Sequence, residues 1–287
     1  MSGLAAIFLE PFASHAFMRS ALVGCAALAL ANGPIGVLLL VRRMSLVGDV
    51  LSHAVLPGAA LGFALVGYSL LALSAGGIVT GLVVAALSSL VARSRTQQDD
   101  VNFAVFYLLS LASGVLLVTT YGSNIDLMHV LFGTILAVDM PTLALMALLA
   151  TFSVLVLAVV YRPLVLESFD PGFLQSVSGG GEVYRMVFLV LVVLDLVAGF
   201  QAFGTLLAVG PLLLPAAAAR CWTQRIAPAM VLSTVLGFAA GYAGLLSSYF
   251  LNLPSGPSIV LIGGGFYVAS FATTRYRARS ALADARA

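Results

Sequence analysis

Two side chains that can bind a cation lie one helical turn apart in an apolar stretch of the sequence. The stretch is MSLVGDVLSHAVLPG, from Met44 to Gly58, and it carries Asp49 and His53. Positions i and i+4 of an α-helix share one face, so the two side chains can hold one ligand between them. Imidazole suits zinc and other transition metals, and a carboxylate extends the range toward manganese. The pattern favours transient metal coordination, the alternative being a structural pair that hydrogen-bonds internally or to a neighbouring helix.

The chain that must position this pair is strongly hydrophobic. Hydrophobic residues make up 61% of its 287 residues, charged residues make up 8%, and the mean hydropathy is +1.12, whereas soluble chains carry roughly 25% charged residues. Long uncharged runs recur from end to end and do not alternate as the strands of a membrane barrel would. We expect a single all-α polytopic membrane domain over residues 1–287, with about eight or nine transmembrane helices.

Proline and glycine interrupt several of the apolar runs, so some of these helices are expected to be broken or half helices. The first span, Phe17 to Val41, contains Asn32 to Pro34, where a break or kink is predicted because proline lacks a backbone donor. A later run, Phe203 to Ala219, is expected to break at Gly210 to Pro211 and at Pro215. The segment from Asp126 to Asp139 is too short to cross straight, which indicates a half-helix or a re-entrant piece.

Ionisable groups inside a span need a reason, since an aspartate there costs about 2.5 to 3.5 kcal/mol on insertion scales. Asp49 and His53 share such a reason if they coordinate a metal. Asp195, in an otherwise apolar run, is a weaker candidate that either lines the same path or pairs with a neighbouring amide or hydroxyl. His129 lies one turn beyond Asp126, and it either receives the ion near the outer mouth or is structural.

The longest polar stretch lies between Pro163 and Glu182, and Arg162 and Arg185 on its two sides place it in the cytoplasm by the positive-inside rule. Within it, FDPGF runs from Phe169 to Phe173. Its aspartate and proline suit the cap and first position of a helix, and its two phenylalanines have no evident burial partner in the loop. We expect a short helix that docks into a partner protein, with an ordinary loop as the alternative.

Every basic residue of the chain is arginine, and there is no lysine. A phosphate-binding P-loop needs the lysine of its GxxxxGK[ST] pattern. The chain is therefore not expected to be an enzyme that hydrolyses ATP, and if ATP drives its activity, a separate subunit hydrolyses it.

Four blocks of the sequence, in this order and covering nearly the whole chain, resemble the permeases of the ABC-3 family, which are the membrane subunits of bacterial zinc and manganese importers. The blocks are RRMSLVGDVLSHAVLPGAALGF at Arg42 to Phe63, GSNIDLMHVLFGTILAV at Gly122 to Val138, FGTLLAVGPLLLPAAAAR at Phe203 to Arg220, and LPSGPSIVL at Leu253 to Leu261.

The resemblance implies a fold, a location and a set of partners. The fold is that of the type II importer permeases, which are similar to the cobalamin importer, and the location is the bacterial cytoplasmic (inner) membrane. The partners are a dimer of cytoplasmic ATPase subunits, an extracytoplasmic metal-binding protein, and a second permease chain that would make a homodimer within the lipid bilayer. No nucleic acid and no permanently bound cofactor are implied, only the transported divalent metal.

The resemblance also assigns residues. The acid and the histidine of the family's first block fall on Asp49 and His53. The cytoplasmic coupling segment that docks on the ATPase covers about residues 165–182. At its centre lie Phe169, Asp170, Pro171, Gly172, Phe173 and Leu174.

The cargo and the energy source each leave alternatives. The additional histidine, His129, favours zinc slightly as the cargo, because imidazole contributes more to zinc sites than to manganese sites. Manganese or iron import by the same family is the alternative. A rival of another class is an ion-coupled secondary metal transporter, driven by protons or sodium through Asp49 and Asp195. An ABC permease would be distinguished by its dependence on a co-purifying ATPase.

Overall fold

The computed structural model describes residues 3–67, 69–93, 99–121, 133, 135–170, 174 and 180–284. Within these residues there are ten bounded α-helices, one 3₁₀ turn at Ile135–Ala137 and no β-strand. The all-α prediction is confirmed. In chain order the helices are α1 (Gly3–Ser14), α2 (Ala16–Val41), α3 (Ser45–Val66), α4 (Leu70–Arg93), α5 (Asp99–Tyr121), α6 (Met140–Phe169), α7 (Gly181–Leu207), α8 (Val209–Trp222), α9 (Ile226–Leu251) and α10 (Ser255–Asp284).

The number of membrane crossings agrees with the predicted eight or nine. Seven helices are long and apolar enough to span a membrane, and α5 adds a slightly shorter apolar stretch at Ala104–Thr120. Helix α8 has only 14 residues, about 21 Å at 1.5 Å per residue, which is less than the roughly 30 Å hydrocarbon core. The described residues therefore contain seven candidate membrane-spanning helices, one shorter apolar helix and one half-helix.

Helices α2, α3 and α7 form the centre of the bundle. Their apolar windows are 67%, 61% and 78% buried within the chain, whereas those of α4 and α6 are only 22% buried. A helix that is hydrophobic on all sides and largely exposed needs an apolar solvent. Helices α4 and α6 therefore face lipid or another subunit, while α3, which carries Asp49 and His53, is held inside the bundle.

Of the break or kink predicted in the first span, the break is wrong. Helix α2 runs without interruption through Asn32 to Pro34, as membrane helices can when neighbours satisfy the freed backbone groups. Gly33 instead marks a close crossing with α9, where a Cβ atom on Gly33 would lie 2.7 Å from the backbone nitrogen of Thr234. The glycine serves the packing of two helices rather than a change of direction.

The break predicted at Gly210 to Pro211 lies earlier in the chain, at Gly204. This residue has φ 72° and ψ 176°, a region that essentially only glycine occupies. Helix α8 then runs from Val209 through Pro211 and Pro215. Gly133, with φ +58°, packs directly on the break, since a Cβ atom there would lie 2.4 Å from the backbone nitrogen of Gly204. Most of the predicted half-helix from Asp126 to Asp139 lies outside the described residues.

We expect Gly204→Ala to lower the thermal stability of the detergent-solubilised protein, because alanine at this φ and ψ costs about 1 to 3 kcal/mol. The measurement is the midpoint of thermal unfolding. Gly265→Ala in α10 is the matched control, since a Cβ atom there meets no atom within 4 Å and alanine is the better helix former. Equal or higher stability in Gly204→Ala than in the control would contradict the strained conformation.

Candidate metal site

Asp49 and His53 lie on the same face of α3, as their spacing predicted. Helix α3 begins at Ser45, which places Asp49 in its second turn and His53 one turn further on. The His53 side chain is 6% exposed, whereas the Asp49 side chain is 50% exposed. The site is therefore built from a buried imidazole beneath a carboxylate that opens onto the surface of the single chain.

The two side chains are close without bonding to each other. Nε2 of His53 lies 3.9 Å from Oδ1 of Asp49, beyond the range of a hydrogen bond. Two ligands on one metal, each about 2.1 Å from it, stand roughly 3 to 3.5 Å apart, so a small side-chain rotation would suffice. Nδ1 of His53 is buried and has no hydrogen-bond partner among the described residues. The pair therefore makes an ion-pair contact without an internal hydrogen bond, and metal coordination by the two side chains stays a prediction.

The His53 ring is held by a residue that the sequence did not single out. Tyr107 on α5 meets the imidazole edge to face, with ring centroids 4.7 Å apart and an interplanar angle of 84°. Beside the pair, the Ser52 hydroxyl donates to the Asp49 carbonyl oxygen at 2.8 Å. Tyr107 lies in an ordinary apolar run, so only the packing of α5 on α3 identifies it as an aromatic wall of the site.

Asp195 lies in the middle of α7 and is 1% exposed. Neither of its carboxylate oxygens has a hydrogen-bond partner in the described part of the chain, so the predicted pairing with an amide or a hydroxyl is not found there. The Gln201 amide on the same helix instead donates to the Ser74 hydroxyl on α4 at 3.1 Å. The structure does not join Asp195 to Asp49 and His53, since no cluster of three possible metal-ligating side chains occurs among the described residues.

The remaining predicted residues are only partly visible. His129, Pro171, Gly172 and Phe173 lie outside the described residues. Of the six central positions of the coupling segment, Phe169, Asp170 and Leu174 are described. Phe169 is 69% exposed, whereas Leu174 is 5% exposed. Asp170 caps the end of α6, and its carbonyl oxygen accepts the Leu174 N–H at 3.3 Å, the i to i+4 bond of a helical turn.

On the opposite side of the bundle, Asp139 caps the first turn of α6. Its Oδ1 accepts the Thr142 N–H at 3.0 Å, and hydrogen bonding to Thr142 lowers the pKa of this carboxyl group. An acidic N-cap of this kind satisfies a backbone donor that the helix leaves free. The acid is thus explained by helix capping and is not a candidate metal ligand.

Comparison with known proteins gives consistent matches over almost the whole chain. The model of the ABC 3 transport family matches residues 14–274. The manganese import system permease protein ScaB of Streptococcus parasanguinis is 35% identical over 264 residues, 92% of this chain and 93% of ScaB. The manganese transport system membrane protein MntC of Halalkalibacterium halodurans is 30% identical over 265 residues, 92% of this chain and 89% of MntC.

A solved structure agrees with these matches. PsaBC from Streptococcus pneumoniae in complex with Fab contains a chain that superimposes with a TM-score of 0.84 at 31% sequence identity. The superposition covers 93% of this chain and 95% of that one. The overall fold described above is therefore that of a known membrane protein architecture.

Proposed function

Because the chain belongs to the ABC 3 transport family, we propose that it is the permease of an importer whose cargo is manganese. The chain is a multi-pass protein of the bacterial cytoplasmic membrane, and it is the permease subunit of a metal importer rather than an enzyme. Family membership also sets aside the ion-coupled secondary transporter, because ABC transporters are driven by ATP that a partner subunit hydrolyses.

The observation that carries the cargo site is the half-exposed Asp49 beside the buried, unpaired imidazole nitrogen of His53. A carboxylate on a membrane-spanning helix is unfavourable where it faces lipid. Its open side must therefore face water in a translocation path or a second copy of the chain. Both surroundings suit a group that binds a cation briefly and then releases it.

Manganese is favoured over zinc by the relatives and is compatible with the donor set. Two relatives are named as manganese permeases, whereas the earlier preference for zinc depended on a histidine that lies outside the described residues. The pair supplies one carboxylate oxygen and one imidazole nitrogen, and manganese accepts oxygen-rich, six-coordinate sites that keep water ligands. Selection against zinc must then come from geometry, since zinc binds the same ligands more tightly.

We infer that two permease chains share the site across a two-fold axis. One chain offers only two ligands, and no third acid, cysteine or histidine joins them among the described residues. A symmetric partner would present the same pair from its own α3, giving two carboxylates and two imidazoles. A cytoplasmic ATPase dimer and an extracytoplasmic metal-binding protein complete the proposed assembly.

The test is uptake into proteoliposomes that contain the permease with its ATPase, supplied with the metal-binding protein. We expect ATP-dependent uptake of radioactive manganese to exceed that of zinc at equal free concentrations. An inactivated ATPase provides the control, and it should abolish the accumulation. Faster uptake of zinc than of manganese would overturn the cargo assignment. Uptake that is unchanged with an inactivated ATPase would overturn the assignment of ATP as the energy source.

A further inference from the structure

The turn between α2 and α3 is closed by backbone hydrogen bonds. The N–H of Met44 donates to the Leu39 carbonyl at 2.9 Å, and the N–H of Arg43 donates to the Leu40 carbonyl at 3.1 Å. Arg43 has φ +57°. These bonds and the left-handed residue form the Schellman arrangement that ends many helices. A side chain attached just before this turn is therefore linked stiffly to the first residues of α3.

Arg42, the residue just before the left-handed position, is buried and points toward the end of α6. Its side chain is 4% exposed. Nε donates to the Ser168 hydroxyl at 3.0 Å, and Nη2 donates to the Leu164 carbonyl at 3.1 Å. Nη2 also forms an ion pair with Oε2 of Glu167 at 2.5 Å. These three partners occupy the last turns of α6. Leu164 lies just before the coupling segment, and Glu167 and Ser168 lie at its start.

The same guanidinium group also contacts the helix that follows the coupling segment. It lies over the Phe188 ring of α7, with Cζ 4.3 Å from the ring centroid, within the range of a cation–π contact. Burial lowers the pKa of Arg42, the Glu167 carboxylate opposes this shift, and the nearby Arg185 charge adds to it. Arginine remains protonated under such shifts, so the group is a permanent charge held between the two helices that flank the coupling segment.

We propose that Arg42 is a positioning residue that transmits movement of the coupling segment to α3 and therefore to Asp49 and His53. The Arg42 side chain contacts α6 and α7, the two helices joined by the coupling segment. The Arg42 backbone lies at the start of the turn that leads into α3, the helix that carries Asp49 and His53. The planar guanidinium fork makes directed bonds to several partners at once, which a lysine ammonium group cannot reproduce. When the coupling segment moves, the guanidinium group of Arg42 moves the α2–α3 turn with it.

The test uses the permease with its ATPase in proteoliposomes and measures the manganese imported per ATP hydrolysed. We expect Arg42→Gln to lower this ratio about tenfold or more, because it breaks a buried ion pair and its hydrogen bonds. Arg42→Lys keeps the charge but loses the fork, so the ratio should recover only in part. Manganese affinity without nucleotide should stay close to that of the wild type in both variants.

Arg43→Gln is the matched control, because it removes the same charge from the next residue, which is exposed. The control should retain the wild-type ratio. A wild-type ratio in Arg42→Gln, or full recovery in Arg42→Lys, would overturn the proposal. If Arg42→Gln fails to assemble, Glu167→Gln removes the ion pair alone and should lower the same ratio; an unchanged ratio there would also overturn it.

A second readout does not depend on the cargo. The inference rests on the proposed importer function. Hydrogen exchange of the backbone amides in residues 44–53 can nevertheless be measured without manganese, with and without bound ATPase and a non-hydrolysable nucleotide. ATPase binding should alter this exchange in the wild type and in Arg43→Gln, but not in Arg42→Gln. An unaltered exchange in the wild type would contradict the role of Arg42 and would leave the manganese assignment intact. Altered exchange together with failed manganese uptake would contradict the manganese assignment and would leave the role of Arg42 intact.

Discussion

Manganese uptake is expected to fall by about 100-fold or more when Asp49 is replaced by asparagine, and by a similar factor in His53→Gln. Changes to groups that only surround a metal already cost about 10 to 100-fold in affinity, and these variants remove the ligands themselves. Asparagine closely matches aspartate in size, so Asp49→Asn separates coordination from packing. His53→Gln also loses the edge-to-face contact with Tyr107. The measurement is initial ATP-dependent uptake in proteoliposomes.

His15→Gln is the control for this pair of variants. His15 is a histidine outside the site. Its ring packs at a tilt against those of Phe17 and Tyr249, and its Nδ1 lies 3.2 Å from the Ser14 hydroxyl. Its replacement should leave uptake close to the wild-type rate. Uptake that survives both Asp49→Asn and His53→Gln would remove the proposed path, provided that the variants reach the membrane at wild-type levels.

We expect a single added methyl group between α3 and α4 to lower the stability of the fold. Gly58 and Gly62 form a GxxxG spacing on α3, and small residues at this spacing let membrane helices approach closely. A Cβ atom on Gly58 would lie 2.1 Å from the Gly76 carbonyl oxygen, and one on Gly62 would lie 2.2 Å from that of Ala72. We expect Gly58→Ala and Gly62→Ala each to destabilise the fold by about 1 to 3 kcal/mol or more, and the double variant to be poorly folded.

The measurement is thermal unfolding in detergent together with the yield of monodisperse protein. Gly264→Ala on α10 is the matched control, since its added Cβ atom would meet nothing within 4 Å. It should be as stable as the wild type or slightly more so. If Gly58→Ala unfolds at the same temperature as Gly264→Ala, the close approach of α3 and α4 is wrong.

Hydropathy predicted most of the helices, because in lipid every spanning segment must satisfy its own backbone groups. The i to i+4 rule likewise placed Asp49 and His53 on one face, since that relation is local to a helix. Breaks were harder to locate. Proline marked Asn32 to Pro34 and Gly210 to Pro211, yet the non-helical residue is Gly204, whose conformation accompanies the close contact of Gly133, far away in the sequence.

Long-range contacts account for the residues that the sequence did not single out. Tyr107 has the same local surroundings as many apolar-run aromatics, and only its 4.7 Å contact with His53 distinguishes it. Arg42 and Arg43 are equal under the positive-inside rule, which counts charges without regard to direction. The fold separates them, because one is buried among Leu164, Glu167 and Ser168 and the other is exposed.

The shortness of α8 has a consequence for how the protein responds to bilayer thickness. Helix α8 packs against α2, α9 and α10, and it ends at Trp222, which is 48% exposed and belongs to a residue type that prefers the headgroup level. A helix about 21 Å long would force lipid to thin around it, but protein neighbours surround this one. Hydrophobic mismatch therefore acts on α4 and α6 wherever they face lipid rather than another subunit, and a thicker bilayer should tilt those helices less without altering α8.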